Sequence, residues 1–152
     1  MKIAIGCDHG GYPLKDGIVA QLKSMGHEVV DVGAFAFDAK DDYPDFAFGV
    51  ARAVQEKKAE KGIILCGSGV GACVAANKFR GIRACVCHDT YSAHQGVEHD
   101  DLNVLTLGAR VVGPEPAFEC ALAFIRATFS GEPRHRRRQD KVLAMEAAAA
   151  ES

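Results

Sequence analysis

Apolar residues in this chain alternate between short continuous runs and stretches where they recur every three or four positions. The first pattern suits strands covered on both faces, and the second suits helices that lay one apolar stripe on a sheet. Lys2 to Cys7 reads as a strand, and Pro13 to Met25 reads as a helix with Leu14, Ile18 and Leu22 on one side. Glu28 to Val32 is a second strand. Tyr43-Pro44 then opens a helix to about Lys58, since proline suits a first helical turn. Ile63 to Leu65 is strand three, Val70 to Lys78 a helix, and Arg83 to Cys87 strand four. Thr90 to about Val97 reads as a short helix, Asn103 to Leu107 as strand five and Glu115 to Phe129 as a long helix. An alanine-rich helix from Arg136 to about Ala149 follows. Strands alternating with helices imply an α/β protein with a parallel sheet covered on both faces, and residues 1–152 show no repeat or linker that would divide them.

Length and charge narrow the classes. With 152 residues and a formal net charge of -2, neither nucleic acid nor a membrane surface is proposed as a global partner, although Arg134 to Arg138 is locally basic. Met1 leads directly into a strand pattern and no apolar run approaches membrane-spanning length, so a soluble, cytoplasmic protein is expected. The six cysteines lie in a chain with no secretory leader pattern, several of them inside apolar strands, which predicts reduced thiols. Cys85 and Cys87 are read as facing opposite sides of their strand. No pair has zinc-site spacing, so neither a metal nor another cofactor is expected.

Ligands of a parallel sheet bind beyond the carboxyl ends of its strands. There the chain places Asp8 and His9 after strand one, Cys66-Gly-Ser-Gly-Val-Gly71 after strand three, His88-Asp89 after strand four and Gly108-Ala-Arg110 after strand five. The glycines let backbone amides approach a ligand, and Cys66 precedes a helix whose free N–H groups favour an anion or a thiolate. Each residue also has a plainer reading. The glycines can mark only a tight turn, Asp8 can cap a helix, and Arg110 can pair with a surface carboxylate. The glycines do not fit a Walker loop or a dinucleotide fingerprint. Even so, Asp89, roughly 20 residues after that loop, keeps a noncatalytic nucleotide-binding module open as an alternative. His99 poses a geometric problem, because a helix from Thr90 carries the chain back towards the amino edge. For His99 to join the site, a loop must double back or a second subunit must supply it.

Taken together, Gly6-Cys-Asp-His-Gly10, Asp42-Tyr-Pro-Asp45, Cys66 to Gly71, Ala75-Ala-Asn-Lys78, Gly81-Ile-Arg83, His99-x-Asp-x-Asn-Val-Leu105, Leu107-Gly-x-Arg110 and Arg134-His135 resemble the type B ribose-5-phosphate isomerase family. That family also includes galactose- and allose-phosphate isomerases. The resemblance implies a Rossmann-like, three-layer α/β/α sandwich with a five-stranded sheet in the order 2-1-3-5-4 and a C-terminal helix. It also implies a homodimer or homotetramer with active sites at the subunit interface, and a sugar phosphate as substrate. By similarity Cys66 is the base of an aldose-ketose isomerisation through a cis-enediolate. Asp8, His99 and Ser68 serve ring opening. Tyr43, Gly67, Gly69, Val70, Gly71 and Asp100 line the sugar and anion sites, while His9, Arg110, Arg134 and Arg138 hold the phosphate. Ribose-specific members usually carry Asn where this chain has Asp100, which leaves erythrose, allose or galactose phosphates open beside ribose 5-phosphate.

Overall fold

The computed structural model describes all residues, Met1–Ser152. Its elements are β1 (Lys2–Cys7), α1 (Tyr12–Ser24), β2 (Glu28–Asp31), α2 (Tyr43–Gln55), β3 (Lys61–Cys66), α3 (Val70–Ala76), β4 (Ala84–Val86), α4 (Thr90–Asp100), β5 (Val104–Gly108), α5 (Pro114–Arg126) and α6 (Pro133–Glu151). The strands pair in parallel in the order β2-β1-β3-β5-β4, as expected.

Side chains on a strand alternate between faces, and in the central strands β1, β3 and β5 both faces are dry. Ile3, Ile5, Ile63, Leu65, Leu105 and Leu107 pack with Leu14, Ile18, Val97 and Phe124 from α1, α4 and α5. Their neighbours Ala4, Ile64, Cys66 and Val104 pack with Val50, Ala51, Ala72 and Ala76 from α2 and α3. This alternation explains why the strands read as unbroken apolar runs. It also fixes Cys66 on the α2–α3 side at the carboxyl end of β3, level with Gly108 of β5.

Several boundaries differ from the sequence reading for identifiable reasons. Helix α5 stops at Arg126 rather than Phe129, because the Lys61 ammonium donates to the carbonyls of Phe124 (2.7 Å), Ile125 (3.3 Å) and Ala127 (2.8 Å). Such a cation satisfies acceptors that a helix C-terminus leaves open. Strand β4 loses Arg83, whose N–H donates to Asn103 Oδ1 and whose guanidinium reaches Asp101. Helix α4 runs past Val97 to Asp100, and Asp101 ends it in a left-handed conformation with φ 53°. The expectation for Cys85 and Cys87 was wrong, since residues two apart on a strand share a face. Cys87 is buried, and its thiol donates towards Cys85, which holds Cys87 protonated and lowers the Cys85 thiol. All six cysteines are free. No helix is long and apolar enough to cross a membrane.

Candidate active site

Three close approaches of backbone to backbone and one of backbone to a Tyr43 ring build the carboxyl edge, each at a residue without a side chain. A Cβ on Gly11 would lie 2.1 Å from the Leu65 carbonyl oxygen, and one on Gly10 would lie 2.7 Å from Gly67 N. One on Gly108 would lie 2.6 Å from the Ser68 backbone, and one on Gly71 would lie 2.7 Å from the Tyr43 ring. The loops after β1, β3 and β5 are therefore pressed together. Backbone bonds lock them: Asp8 N–H donates to Leu65 (3.3 Å), Ala109 N–H to Cys66 (2.8 Å) and Arg110 N–H to Gly67 (3.0 Å).

Cys66 is 5% exposed at the centre of this edge. Its Sγ accepts the Gly69 N–H at 2.9 Å. Gly69 makes this turn with φ 83°, the left-handed region that suits glycine. The Val70 N–H goes to Ser68 Oγ at 3.2 Å. The N–H groups of Gly67, Ser68, Gly71 and Ala72 take no acceptor within the chain, so the loop presents a group of donors beside the sulfur.

Asp8 is 7% exposed, and its Oδ1 accepts the Gly11 N–H at 3.0 Å. It thus closes the turn into α1, the plainer role considered above, while its second oxygen makes no hydrogen bond within the chain. The His9 Nδ1 and backbone N–H both bond Asp41 Oδ1, at 2.6 and 2.9 Å. That carboxylate raises the His9 imidazole above its ordinary value, with Asp8 adding to the effect and Arg110 opposing it. The Arg110 guanidinium lies over Gly67 and lines an open pocket of about 430 Å³ with His9. Asp8, His9 and Asp41 bring ligand atoms within 4.8 Å of one another and could hold a cation, but the His9–Asp41 bond already uses two of those atoms.

Two contributors were not assigned roles from sequence. His88 was placed on this edge, and its Nε2 in fact accepts the Gly108 N–H at 2.9 Å, fixing the end of β5. Asp41 lies 32 residues from its partner His9 in an acid-rich loop, and no spacing rule connects the two. Asp89 caps α4 by accepting the Ser92 N–H at 2.7 Å, which accounts for the residue that favoured a nucleotide site.

The remaining expected residues lie elsewhere. Helix α4 leaves the carboxyl end of β4 without doubling back, so it carries His99 about 14 Å towards the opposite edge. There the His99 ring stacks on His135 of α6, with centroids 4.0 Å apart. His135 is almost fully buried, and this burial, together with His99, lowers its imidazole. Arg134 pairs with Glu132 at 3.0 Å on the surface. Asp100 and Arg138 line a groove of about 1070 Å³ beside Ala84 and Val142. One copy of the chain thus gathers Asp8, His9, Tyr43, Cys66, the glycine loop and Arg110, and holds His99, Asp100, Arg134 and Arg138 apart from them.

The sequence profile of the Ribose/Galactose Isomerase family matches residues 3–142. Ribose-5-phosphate isomerase B of Escherichia coli is 47% identical over 145 residues, spanning 95% of this chain and 96% of that protein. D-erythrulose-4-phosphate isomerase of Pectobacterium atrosepticum is 43% identical over 131 residues, 86% of each chain. The crystal structure of ribose-5-phosphate isomerase B from Mycoplasma genitalium with bound ribulose-5-phosphate superposes with a TM-score of 0.92 at 42% identity, covering 96% of both chains. With a profile match over nearly its whole length and relatives this similar, the chain belongs to the Ribose/Galactose Isomerase family and is a sugar-phosphate aldose-ketose isomerase.

Proposed function

We propose that the protein interconverts ribose 5-phosphate and ribulose 5-phosphate, with Cys66 moving the proton. The observation that carries this reading is the Cys66 sulfur, held by the Gly69 N–H at 2.9 Å beside four N–H groups that have no acceptor in the chain. After ring opening the Cys66 thiolate takes the C2 proton of the aldose, and the C2–H electron pair forms the enediolate double bond. The C1 carbonyl pair moves onto its oxygen, which takes up the proton that the C2 hydroxyl releases; the double-bond pair then takes the thiol's proton at C1, restoring the thiolate, and the C2 oxygen becomes the ketone. Negative charge that develops on the sugar oxygens meets the amides of Gly67, Ser68, Gly71 and Ala72. Each preorganised donor of this kind contributes about 3–4 kcal/mol to the barrier reduction in measured cases. The cysteine and the amides supply both base and anion hole, so the step requires no metal.

Asp8 and a partner copy's histidine at position 99 serve ring opening, with Ser68 assisting. His9 and Arg110 meet the phosphate on one side, and Arg134 and Arg138 of a second copy meet it on the other. The planar guanidinium fork suits phosphate oxygens. Tyr43, packed on Gly71, walls the sugar. Val70 is exposed on the first turn of α3, and Asp100 with His99 completes the hydroxyl contacts. Support for a homodimer or larger homo-oligomer comes from the separation of the two residue sets within one chain. The bound ribulose-5-phosphate of the Mycoplasma relative supports a pentose phosphate as substrate and a cytoplasmic setting, where charged sugar phosphates are retained. The tetrose pair, erythrulose 4-phosphate and erythrose 4-phosphate, is the second reading. It is favoured by the Pectobacterium relative and by the carboxylate at Asp100, which only accepts hydrogen bonds when ionised.

Subunit complementation tests the shared site. Cys66→Ala and His99→Ala are each nearly inactive alone. Unfolded and refolded together, they regain about a quarter of wild-type turnover, because random pairing leaves half of the dimers with one intact site. No recovery in a mixture that forms dimers would refute a site built across the interface.

A further inference from the structure

Among the groups at the carboxyl edge, Asp41 has the least obvious reason to be where it is. Its side chain is only 10% exposed. Its Oδ2 is fully buried with no hydrogen-bond partner, and its Oδ1 carries two bonds, both from His9. A buried carboxylate that lacks donors is costly unless a charge compensates it. The positively charged form of His9 is the compensating group within reach.

The geometry also aims the ring. The His9 backbone N–H and Nδ1 converge on one oxygen, which leaves the imidazole little freedom to rotate. Nε2 lies on the far side of the ring from Asp41, and His9 shares its pocket with the Arg110 guanidinium, which has no carboxylate partner in the chain. A cationic His9 and an Arg110 without a carboxylate partner repel each other until an anion joins them. The groups facing His9 are Asp41 from the loop before α2, Asp8 after β1 and Arg110 after β5.

We propose that Asp41 is a positioning residue for the substrate phosphate: it holds the His9 ring through Nδ1 and keeps it cationic beside Arg110, with Nε2–H turned to the phosphate oxygens. This rests on the isomerase reading and adds to it a residue that touches no substrate atom. It also assigns a role to the acid-rich loop beyond leading into α2.

The sign of the pH effect follows from the raised His9 value. Phosphate binding by His9 is complete below the histidine's ordinary range and extends above it, then weakens as pH rises through the shifted value. Asp41→Asn removes the carboxylate charge, so the weakening begins at lower pH. The test follows the His9 ring proton by NMR across pH, and in parallel the affinity for inorganic phosphate and the KM and kcat for ribose 5-phosphate. In the native protein His9 titrates above the ordinary 6.5. In Asp41→Asn the titration moves down, and near pH 7.5 phosphate affinity falls and KM rises about tenfold, the loss of one charge-assisted bond, while kcat changes little. Asp41→Glu restores part of the shift. Asp38→Asn, whose carboxylate only accepts the Lys40 N–H in the same loop, leaves it unchanged.

A native His9 that titrates at or below the ordinary range overturns the proposal without any variant. So does an Asp41→Asn protein with unchanged His9 titration. If no sugar phosphate turns over but the His9 shift and the phosphate affinity behave as described, the isomerase reading fails and the Asp41–His9 device stands.

Discussion

Replacing Gly11 by alanine adds one methyl group, and the structure says where it must go. The added carbon would lie 2.1 Å from the Leu65 oxygen, 2.2 Å from its carbonyl carbon and 2.6 Å from Cys66 N. All three are backbone atoms of β3, so no side chain can swing aside. Ordinary contact requires about 3.4 Å or more, and the two segments must part by more than 1 Å. Overpacking a tight site costs about 1–3 kcal/mol when side chains can adjust. With only backbone to move, a loss near the upper end, about 3 kcal/mol, is expected. The displaced segment carries Cys66 itself, and a misplacement of about 1 Å in a reacting group lowers turnover about 100-fold. Gly17→Ala is the matched control. It makes the same chemical change on the exposed face of α1, where nothing lies within 4 Å, and should stabilise the helix by about 0.5–1 kcal/mol. Urea unfolding followed by circular dichroism, with initial rates at saturating sugar phosphate, measures both. Gly11→Ala with stability within about 0.5 kcal/mol of wild type and undiminished kcat would refute the argument that these two loops are in backbone contact.

Other substitutions probe the remainder of the frame. Lys15 is 3% exposed, and its ammonium donates to both oxygens of Asp31 at 3.0 Å and to the Ala34 carbonyl at 2.6 Å. Lys15→Met keeps the volume but strands the carboxylate, and should cost about 2–4 kcal/mol in urea unfolding; Asp31→Asn in the same background should recover part of it. Phe124→Ala removes the largest fully buried side chain and should lower stability by about 3–5 kcal/mol. His135 has a lowered value in the folded protein, so the unfolded chain binds more protons in the interval below 6.5. Its contribution to stability is present above 6.5 and falls away as pH drops through the folded value, with the opposite sign to that of His9. The urea midpoint should therefore decline between pH 7 and pH 5 with a slope that His135→Gln reduces.

The strands were legible because a parallel sheet buried on both faces leaves a clear record: runs such as Ile63-Ile64-Leu65, whose alternate members enter the two separate cores, whereas the sheet order was available only through the family resemblance. Boundaries were less legible where a distant polar side chain decides them. Lys61 ends α5 from across the fold, and Asp101 takes a left-handed turn to end α4, neither of which periodicity records. The candidate active-site edge could be read because glycines are required where backbones touch, as at Gly11 and Gly108. Asp41 could not, because its meaning lies in a contact with His9 across 32 residues. His99 was legible as a motif and unresolved as a position. Only the direction of α4 shows that it leaves the edge where Cys66 stands.

The most direct test is turnover of ribose 5-phosphate to ribulose 5-phosphate in EDTA, beside erythrose 4-phosphate and allose 6-phosphate, for the native protein and for Cys66→Ala. The account predicts that ribose 5-phosphate is turned over fastest, that chelation leaves the rate unchanged, and that the variant loses turnover while still binding the sugar phosphate. A Cys66→Ala protein that isomerises at the native rate would contradict it.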